Sequence, residues 1–252
     1  MFIDTHLHIG NDFGVEPDLY VKNAIDANVK LLIASFCEKE DLYLSTIFVD
    51  KYDLMYASIG YHPEVANKIV DKDYELLEEL VINHPKIIAI GEIGLDYYWN
   101  KDNKEIQRTV FRRQLELAER LNVPVVIHSR DSINETYEIL KEYKVKGVIH
   151  CFSGSIEMAK KFINLGYVLG IGGVVTFSNS KLYQVIENVS LDDIVLETDS
   201  PYLAPVPNRG KVNESSNILY IAEKIADIKG ITIDEVMNAT TLNSIRIFDL
   251  KL

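Results

Sequence analysis

Short apolar segments alternate with longer amphipathic segments along almost the whole chain. Most of the short segments are apolar without interruption, as expected for strands that are covered on both faces of a parallel sheet. Each has the length of a strand rather than that of a buried helix. The pattern predicts eight strands, at residues 2–8, 30–35, 54–60, 86–92, 123–128, 147–150, 167–171 and 193–199.

The segments between the predicted strands place apolar residues three or four positions apart, which gives a helix one buried face. In the helix predicted at 104–121, Phe111, Leu115 and Ala118 follow this spacing. The other helices are predicted at 17–28, in the stretch that ends at residue 49, and at 71–83, 132–143, 155–164, 180–188, 215–229 and 232–246.

Regular alternation of strands and helices predicts an α/β fold, a (β/α)8 TIM barrel, for which about 250 residues is a usual length. An open doubly wound sheet is the alternative, but no glycine-rich phosphate loop follows the first strand. No linker rich in proline, glycine or serine divides the sequence, so residues 1–252 are expected to form a single domain.

The composition is typical of a soluble globular protein, with 47% hydrophobic and 25% charged residues. No apolar segment approaches the roughly 20 residues of a membrane span, and no signal peptide is visible at the N-terminus. Cys37 and Cys151 form no C-x-x-C motif, which favours a reducing compartment over a disulfide framework. We therefore expect a cytoplasmic protein without membrane contact. The net charge of −12 argues against a broad nucleic-acid-binding face.

Five of the six histidines lie at the C-terminal ends of predicted strands. His6 and His8, just before a turn signal at residues 10–12, project to the same side because side chains two residues apart share a strand face. In a (β/α)8 barrel the strand ends meet at one rim, where active sites lie. The expected rim residues are His6, His8, His62, Glu92, His128, His150 and Asp199. Such a mixture of imidazoles and carboxylates can hold one or two divalent metals; hydrogen-bonded histidines without a metal are the alternative.

Several sequence motifs carry these residues, and together they closely resemble the TatD family of metal-dependent deoxyribonucleases. The motifs are His6–His8, Gly91–Tyr97, Ile127–Arg130, His150–Gly154 and Glu197–Leu203, together with Pro207–Lys211 and the closing segment Asn243–Phe248. The resemblance covers essentially the whole chain, in the family's order and spacing. It implies an amidohydrolase-like metal barrel that hydrolyses its substrate with a metal-bound water.

The resemblance also implies two metal sites, one formed by His6, His8, Glu92 and Asp199 and the other by Glu92, His128 and His150. Glu92 is the natural bridge between two ions, since each of its carboxylate oxygens can bind one. Asp199 is the best candidate for the general base. We expect two divalent ions per chain, and the donor set suits zinc, magnesium, manganese or nickel without choosing among them.

Two acidic residues are expected one layer below the ligands. Asp4 is in phase with His6 on the first strand, and Glu197 is in phase with Asp199 on the eighth. We expect Asp4 or Glu197 to orient a ligating histidine through its second ring nitrogen; a buried acid paired with a cation is the alternative. The other strands carry apolar residues at this level, Ile90, Val126 and Val148.

His62, Arg130 and Arg209 lie beyond predicted strand ends, where they are expected to bind substrate. Arg130 can hold a phosphate with its forked guanidinium group, and Arg209 lies with Lys211 in a glycine-containing loop above the rim. A surface salt bridge is the alternative role for Arg130, since such pairs are common and individually weak.

Three classes of function fit the sequence: a phosphodiesterase acting on DNA, an amidohydrolase-like enzyme that cleaves a small amide, ester or lactone, and a non-catalytic metal-binding barrel. The complete ligand set argues against the third. Extended duplex binding needs many phosphate contacts, which conflicts with the net charge, but two divalent ions make the rim locally positive. We therefore expect an exonuclease that binds single-stranded or frayed DNA ends locally and weakly, with a small-molecule substrate as the alternative partner.

Overall fold

Eight parallel strands follow one another in chain order around a single sheet. In this computed structural model the strands are β1 (Phe2–Leu7), β2 (Val29–Phe36), β3 (Met55–Ile59), β4 (Ile87–Asp96), β5 (Val125–Arg130), β6 (Gly147–Ile149), β7 (Val168–Ile171) and β8 (Ile194–Leu196). The structure describes residues 1–10, 14–99 and 101–251, so residues 11 and 12 of the predicted turn lie outside the described residues.

Helices connect the strands and cover the outside of the sheet. They are α1 (Pro17–Asp26), α2 (Leu42–Lys51), α3 (Asp71–Asn83), α4 (Lys104–Leu121), α5 (Ile133–Leu140), α6 (Ile156–Asn164), α7 (Leu182–Asn188), α8 (Ile218–Lys229) and α9 (Ile233–Phe248). The predicted (β/α)8 barrel is therefore confirmed. Short 3-10 turns, which the sequence pattern did not predict, lie at Pro63–Lys68, Gly173–Thr176, Leu191–Asp193 and Ser215–Asn217. Over the described ranges, no helix combines the length and hydropathy that a membrane span requires.

The barrel closes between β1 and the residues that follow β8. Leu7 and Ser200 form a parallel bridge. The backbone N–H of Asp199 donates to the carbonyl of His6 at 2.9 Å, and that of His8 donates to the carbonyl of Ser200 at 2.7 Å. We call these three contacts the seam. β8 is shorter than predicted because the chain continues from it into the seam rather than into further pairing with β7.

β4 extends four residues beyond its predicted end and contains a β-bulge. Gly91 pairs with Val126 and Ile93 pairs with Ile127, so Glu92 is an extra residue in the ladder. A Cβ on Gly91 would lie 2.5 Å from the Cβ of Val126, and only glycine allows the two strands to approach this closely. A bulge switches the alternation of side chains, and here it brings Glu92 to the inside of the barrel.

The inside of the barrel below the rim is apolar. Ala89, Val126 and Val148 pack there, whereas Ile90, which was expected at this level, packs between the sheet and the helices. The prediction for Ile90 was wrong because the bulge reverses the inward and outward positions of β4. Phe248 of α9 packs into the same inner cluster, so polar groups in the barrel are concentrated at the C-terminal ends of the strands.

Two buried glutamines of α4 hold backbone segments next to that rim. The N–H of Tyr61 donates to Oε1 of Gln114 at 2.7 Å, and Nε2 of Gln114 donates to the Tyr61 carbonyl at 3.1 Å. Gln107 bonds the N–H and carbonyl of Asp96 in the same way, at 2.8 and 2.9 Å. These paired bonds fix the residue before His62 and the last residue of β4, since buried backbone groups are costly to leave unpaired.

Candidate metal centre

Glu92 lies between two groups of histidines at the C-terminal rim of the barrel. Its Oε2 is 3.4 Å from Nε2 of His6 and 3.8 Å from Nε2 of His8. Its Oε1 is 2.6 Å from Nδ1 of His128 and 3.5 Å from Nε2 of His150. The two oxygens of one buried carboxylate therefore face different imidazoles, which is the arrangement that a carboxylate shared by two ions requires.

The first group joins the two ends of the barrel. Nε2 of His6 lies 3.3 Å from Nε2 of His8, and Oδ1 of Asp199 lies 3.7 Å from each of these nitrogens. A tetrahedral ion with bonds of about 2.1 Å holds its ligand atoms about 3.4 Å apart. The donor atoms of His6, His8, Glu92 and Asp199 thus fit one divalent ion.

The second group contains a residue that the sequence suggested for substrate binding. Nε2 of His62 lies 3.6 Å from Oε1 of Glu92, and the rings of His62 and His128 pack edge to face with centroids 4.5 Å apart. His62, Glu92 and His128 offer donor atoms within 4.8 Å of one another. This geometry makes His62 a further candidate ligand, whereas its contact with substrate stays a prediction.

Asp96 was not among the predicted site residues. Its Oδ2 lies 3.0 Å from Nε2 of His128, so His128 is held between Glu92 and Asp96. The apolar pattern predicts that β4 ends at Glu92, so it does not reveal Asp96. The signal was present in the motif, because Glu92 and Asp96 are four residues apart and share a strand face.

Glu197 lies behind the site, where the sequence placed it. Its Oε1 is 3.0 Å from Nδ1 of His150 and accepts a hydrogen bond from the backbone N–H of Cys151 at 2.7 Å. Nε2 of His150 is left facing Glu92. A carboxylate on one ring nitrogen orients the other nitrogen toward a metal, which is the role expected for Asp4 or Glu197.

Asp4 has a different environment from the one predicted. Its carboxylate accepts hydrogen bonds from Oγ1 of Thr198 at 2.6 Å and from Oγ of Ser215 at 2.5 Å, and it lies 3.4 Å from the backbone nitrogen, not the ring, of His6. The ladder between β1 and β2 shifts register between Asp4 and Leu7, so simple alternation failed there. Asp4 supports the backbone beside the site.

The model of a family described as TatD related DNase matches residues 3–249 of this chain. The chain belongs to the TatD family. It is 38% identical over 253 residues to YabD of Bacillus subtilis, covering 98% of this chain and 99% of that protein. It is 35% identical over 256 residues to YcfH of Escherichia coli, covering 98% and 96%. Both relatives are named uncharacterized metal-dependent hydrolases.

A solved structure of another TatD homolog gives the same result for the fold. The crystal structure of YJJV from Escherichia coli K12 superposes with a TM-score of 0.93 at 30% sequence identity and covers 99% of this chain and 98% of that one. The family model and the solved structure therefore agree on the TatD family and on the barrel fold.

The electrostatics of this TatD-family site are dominated by burial and by close opposite charges. Burial alone would raise the pKa of Glu92, but the surrounding imidazoles, above all His150 and His128, hold it well below its ordinary value. Burial lowers the pKa of both histidines, yet Asp96 and Glu92 raise that of His128 to about 9. Glu197 and Glu92 raise the pKa of His150 to about 10. Both imidazoles must lose a proton to bind metal.

The pKa values of two other histidines of the site shift in the opposite direction. Burial lowers the pKa of His8 to about 3 and that of His62 to about 4, so both are neutral at pH 7, the form that binds metal. Burial raises the pKa of Asp199 to about 6, against the opposing effect of His150.

Arg130, at the end of β5, makes cation–π contacts. Its guanidinium carbon lies 4.0 Å from the ring centroid of Tyr98 and 5.4 Å from that of Trp99. Across the described residues, its closest contacts include no carboxylate within salt-bridge distance. The alternative role in a surface salt bridge is therefore not seen, and the charge of Arg130 is available beside the TatD-family site.

Arg209 lies on the other side of the rim, in the loop after β8. Its guanidinium carbon lies 4.3 Å from the ring centroid of Phe177, and Nζ of the nearby Lys211 donates to Oδ1 of Asn208 at 3.2 Å. Neither basic residue is in contact with Glu92 or Asp199 in the part of the chain that is described. Their contact with substrate remains a prediction.

Proposed function

We propose that this TatD-family hydrolase removes nucleotides from single-stranded or frayed DNA ends with the help of two divalent metal ions. The observation that carries the proposal is the position of Glu92, whose two oxygens face two groups of donors. The description of the family as TatD related DNase supports a phosphodiester as the bond that is cleaved.

Each side chain at the rim has a task in this proposal. His6, His8, Glu92 and Asp199 would hold one ion, and Glu92, His128 and His150 would hold the other, with His62 beside them. Divalent ions bound there would supply positive charge for the phosphate and lower the pKa of water toward neutral pH. Asp199 would accept a proton from the attacking water, and the guanidinium of Arg130 would bind a phosphate oxygen of the substrate.

The overall charge limits how DNA is bound. A chain of net charge −12 repels a long duplex, whose affinity depends on many phosphate contacts. Two divalent ions and Arg130 create positive potential only at the rim. We therefore expect weak binding of a chain end, with a salt dependence that reflects about one to three phosphate contacts.

The test uses end-labelled single-stranded DNA, blunt duplex and circular DNA with the metal-reconstituted enzyme. Stepwise shortening from an end, fastest on the single strand, supports the proposal. Cleavage of circles would replace the exonuclease with an endonuclease. Hydrolysis of a small amide, ester or lactone, without cleavage of any DNA, would assign the alternative function.

Arg130→Ala should lower the rate on DNA while leaving the metal content unchanged. Arg113 offers a matched control, because its guanidinium carbon also lies over a tyrosine ring, 3.9 Å from the centroid of Tyr74, but on the outer helix α4. Arg113→Ala removes the same charge and the same kind of contact, together with an exposed ion pair to Asp71 at 2.7 Å, which as a surface pair contributes little to stability. Equal rates for the two variants would exclude a direct role for Arg130.

A further inference from the structure

Two large aromatic side chains lie exposed directly after β4. Tyr98 is 47% exposed and Trp99 is 61% exposed, and their rings pack edge to face with centroids 4.8 Å apart. Aromatic rings of this size bury much apolar area when they find a partner. Because the two rings are nearly perpendicular, they do not form one flat surface, and Trp99, the more exposed of the two, offers the larger apolar surface to a ligand beside the rim.

The aromatic pair is fixed relative to the metal centre by one carboxylate. Oδ1 of Asp96 accepts hydrogen bonds from the backbone N–H groups of Tyr98 and Trp99, each at 2.9 Å. Oδ2 of the same residue lies 3.0 Å from Nε2 of His128. The backbone that carries the two rings is therefore held next to the second group of donors.

The guanidinium of Arg130 lies over Tyr98 and reaches toward Trp99, at 4.0 and 5.4 Å from their ring centroids. Arg130 also lines a cavity of about 630 Å³, whose wall includes Lys104 and Asn134 together with two acidic residues, Asp131 and Glu135. Small-molecule sites have volumes of roughly 300–1,000 Å³. Flat aromatic surface, positive charge and an adjoining cavity thus occur side by side.

This combination matches the chemistry of an unpaired nucleotide, which presents a flat base and an anionic phosphate. We propose that Trp99, supported by Tyr98, is a stacking surface for an unpaired nucleobase of the DNA end, with the adjacent phosphate on Arg130. The inference rests on the proposed function and deepens it. Both faces of a base inside a duplex are covered by its neighbours, so this surface favours single-stranded or frayed ends and, because every base has a π face, tolerates any sequence.

Trp99 is the only tryptophan in the chain, so its fluorescence reports on this surface alone. We would titrate the metal-loaded enzyme with a short phosphorothioate oligothymidylate, which resists hydrolysis, and with an abasic strand that carries the same number of phosphorothioates. Quenching by the oligothymidylate, with affinity about tenfold higher than for the abasic strand, is the expected result. Equal affinity for the two strands would overturn the proposal.

Kinetic variants test the same surface without fluorescence. Trp99→Ala should raise KM for single-stranded DNA by about tenfold with little change in kcat, and should not alter KM for a strand with abasic ends. Trp99→Phe retains a ring and should recover most of the loss. Tyr183→Ala, at an exposed tyrosine of α7 that is 43% exposed, is the control and should behave as wild type.

The two proposals fail in different ways. If the wild-type enzyme shortens DNA and Trp99→Ala does so with unchanged KM, the stacking surface is wrong and the exonuclease stands. If the oligothymidylate quenches Trp99 but no DNA is cleaved, the stacking surface stands as a nucleic-acid site and the exonuclease is wrong.

Discussion

Gly170 leaves the space that the carboxylate of Glu197 occupies: a Cβ at this position would lie 2.1 Å from Oε2 of Glu197. Gly170→Ala should therefore push Glu197 away from His150. Overpacking of this kind costs about 1–3 kcal/mol of unfolding free energy, and loss of the carboxylate's contact should weaken metal binding by at least tenfold. Urea unfolding and a metal titration measure the two effects.

Gly172 provides the control for this substitution. A Cβ on Gly172 would lie 3.6 Å from the carbonyl oxygen of Glu197, an ordinary contact distance. Gly172→Ala should leave metal affinity near that of wild type. If Gly170→Ala binds metal as tightly as Gly172→Ala does, the position of Glu197 has no influence on the metal centre.

Glu197 and Asp4 are both buried carboxylates, yet their contacts predict different effects of substitution: a loss of metal affinity for Glu197 and a loss of stability for Asp4. Glu197→Gln keeps the shape but weakens the charged contact with His150, and should reduce metal affinity about 10- to 100-fold. Asp4→Asn weakens bonds to Thr198 and Ser215 and should mainly lower the free energy of unfolding. Calorimetric metal titration of both variants checks the order; a larger loss of metal affinity in Asp4→Asn would reverse these assignments.

Substitutions of Glu92 and of Asp199 should have different effects on metal binding and on turnover. Glu92→Gln disturbs both donor groups, so metal content by elemental analysis and activity should fall together. Asp199→Asn removes a base while the imidazoles of His6 and His8 remain, and should lower kcat about 10²- to 10⁴-fold with a smaller loss of metal. Near-normal turnover in Asp199→Asn would remove it from the mechanism.

Asp73, in the first turn of α3, should contribute to acid unfolding. Burial alone would raise its pKa, but Nζ of Lys39 at 2.5 Å and the N–H of Val70 at 2.9 Å outweigh burial and lower it. Because the folded-state pKa lies below the unfolded value of about 3.9, the stabilisation is complete above that pH and is lost as pH falls through the folded-state pKa. Asp73→Asn should reduce the loss of unfolding free energy at acidic pH, as measured by urea unfolding at a series of pH values. An unchanged pH dependence would contradict the assignment.

Much of the site's placement was accessible from the sequence. Parallel strands end at one rim, so a histidine at the end of β5 and another just after β6 must lie near those of β1 whatever the details of packing. The order of the elements alone therefore predicts that six residues lie at one place: His6, His8, His128, His150, Glu92 and Asp199.

The remaining features depended on local irregularities that periodicity does not reveal. The bulge at Glu92 reversed the phase of β4, which exchanged Ala89 for Ile90 inside the barrel and carried the strand on to Asp96. The register shift in β1 turned Asp4 toward Thr198. A period of two predicts the inward face only while every residue has a partner in the ladder.

The seam has a consequence for how the fold and the metal depend on each other. The backbone groups that join β1 to the residues after β8 belong to His6, His8, Asp199 and Ser200, and three of these four also carry donor side chains. An ion held by those side chains would link β1 to the residues after β8. Opening of the barrel at the seam would separate its ligands, so bound metal should slow the exchange of the amide protons of His8 and Asp199 with solvent.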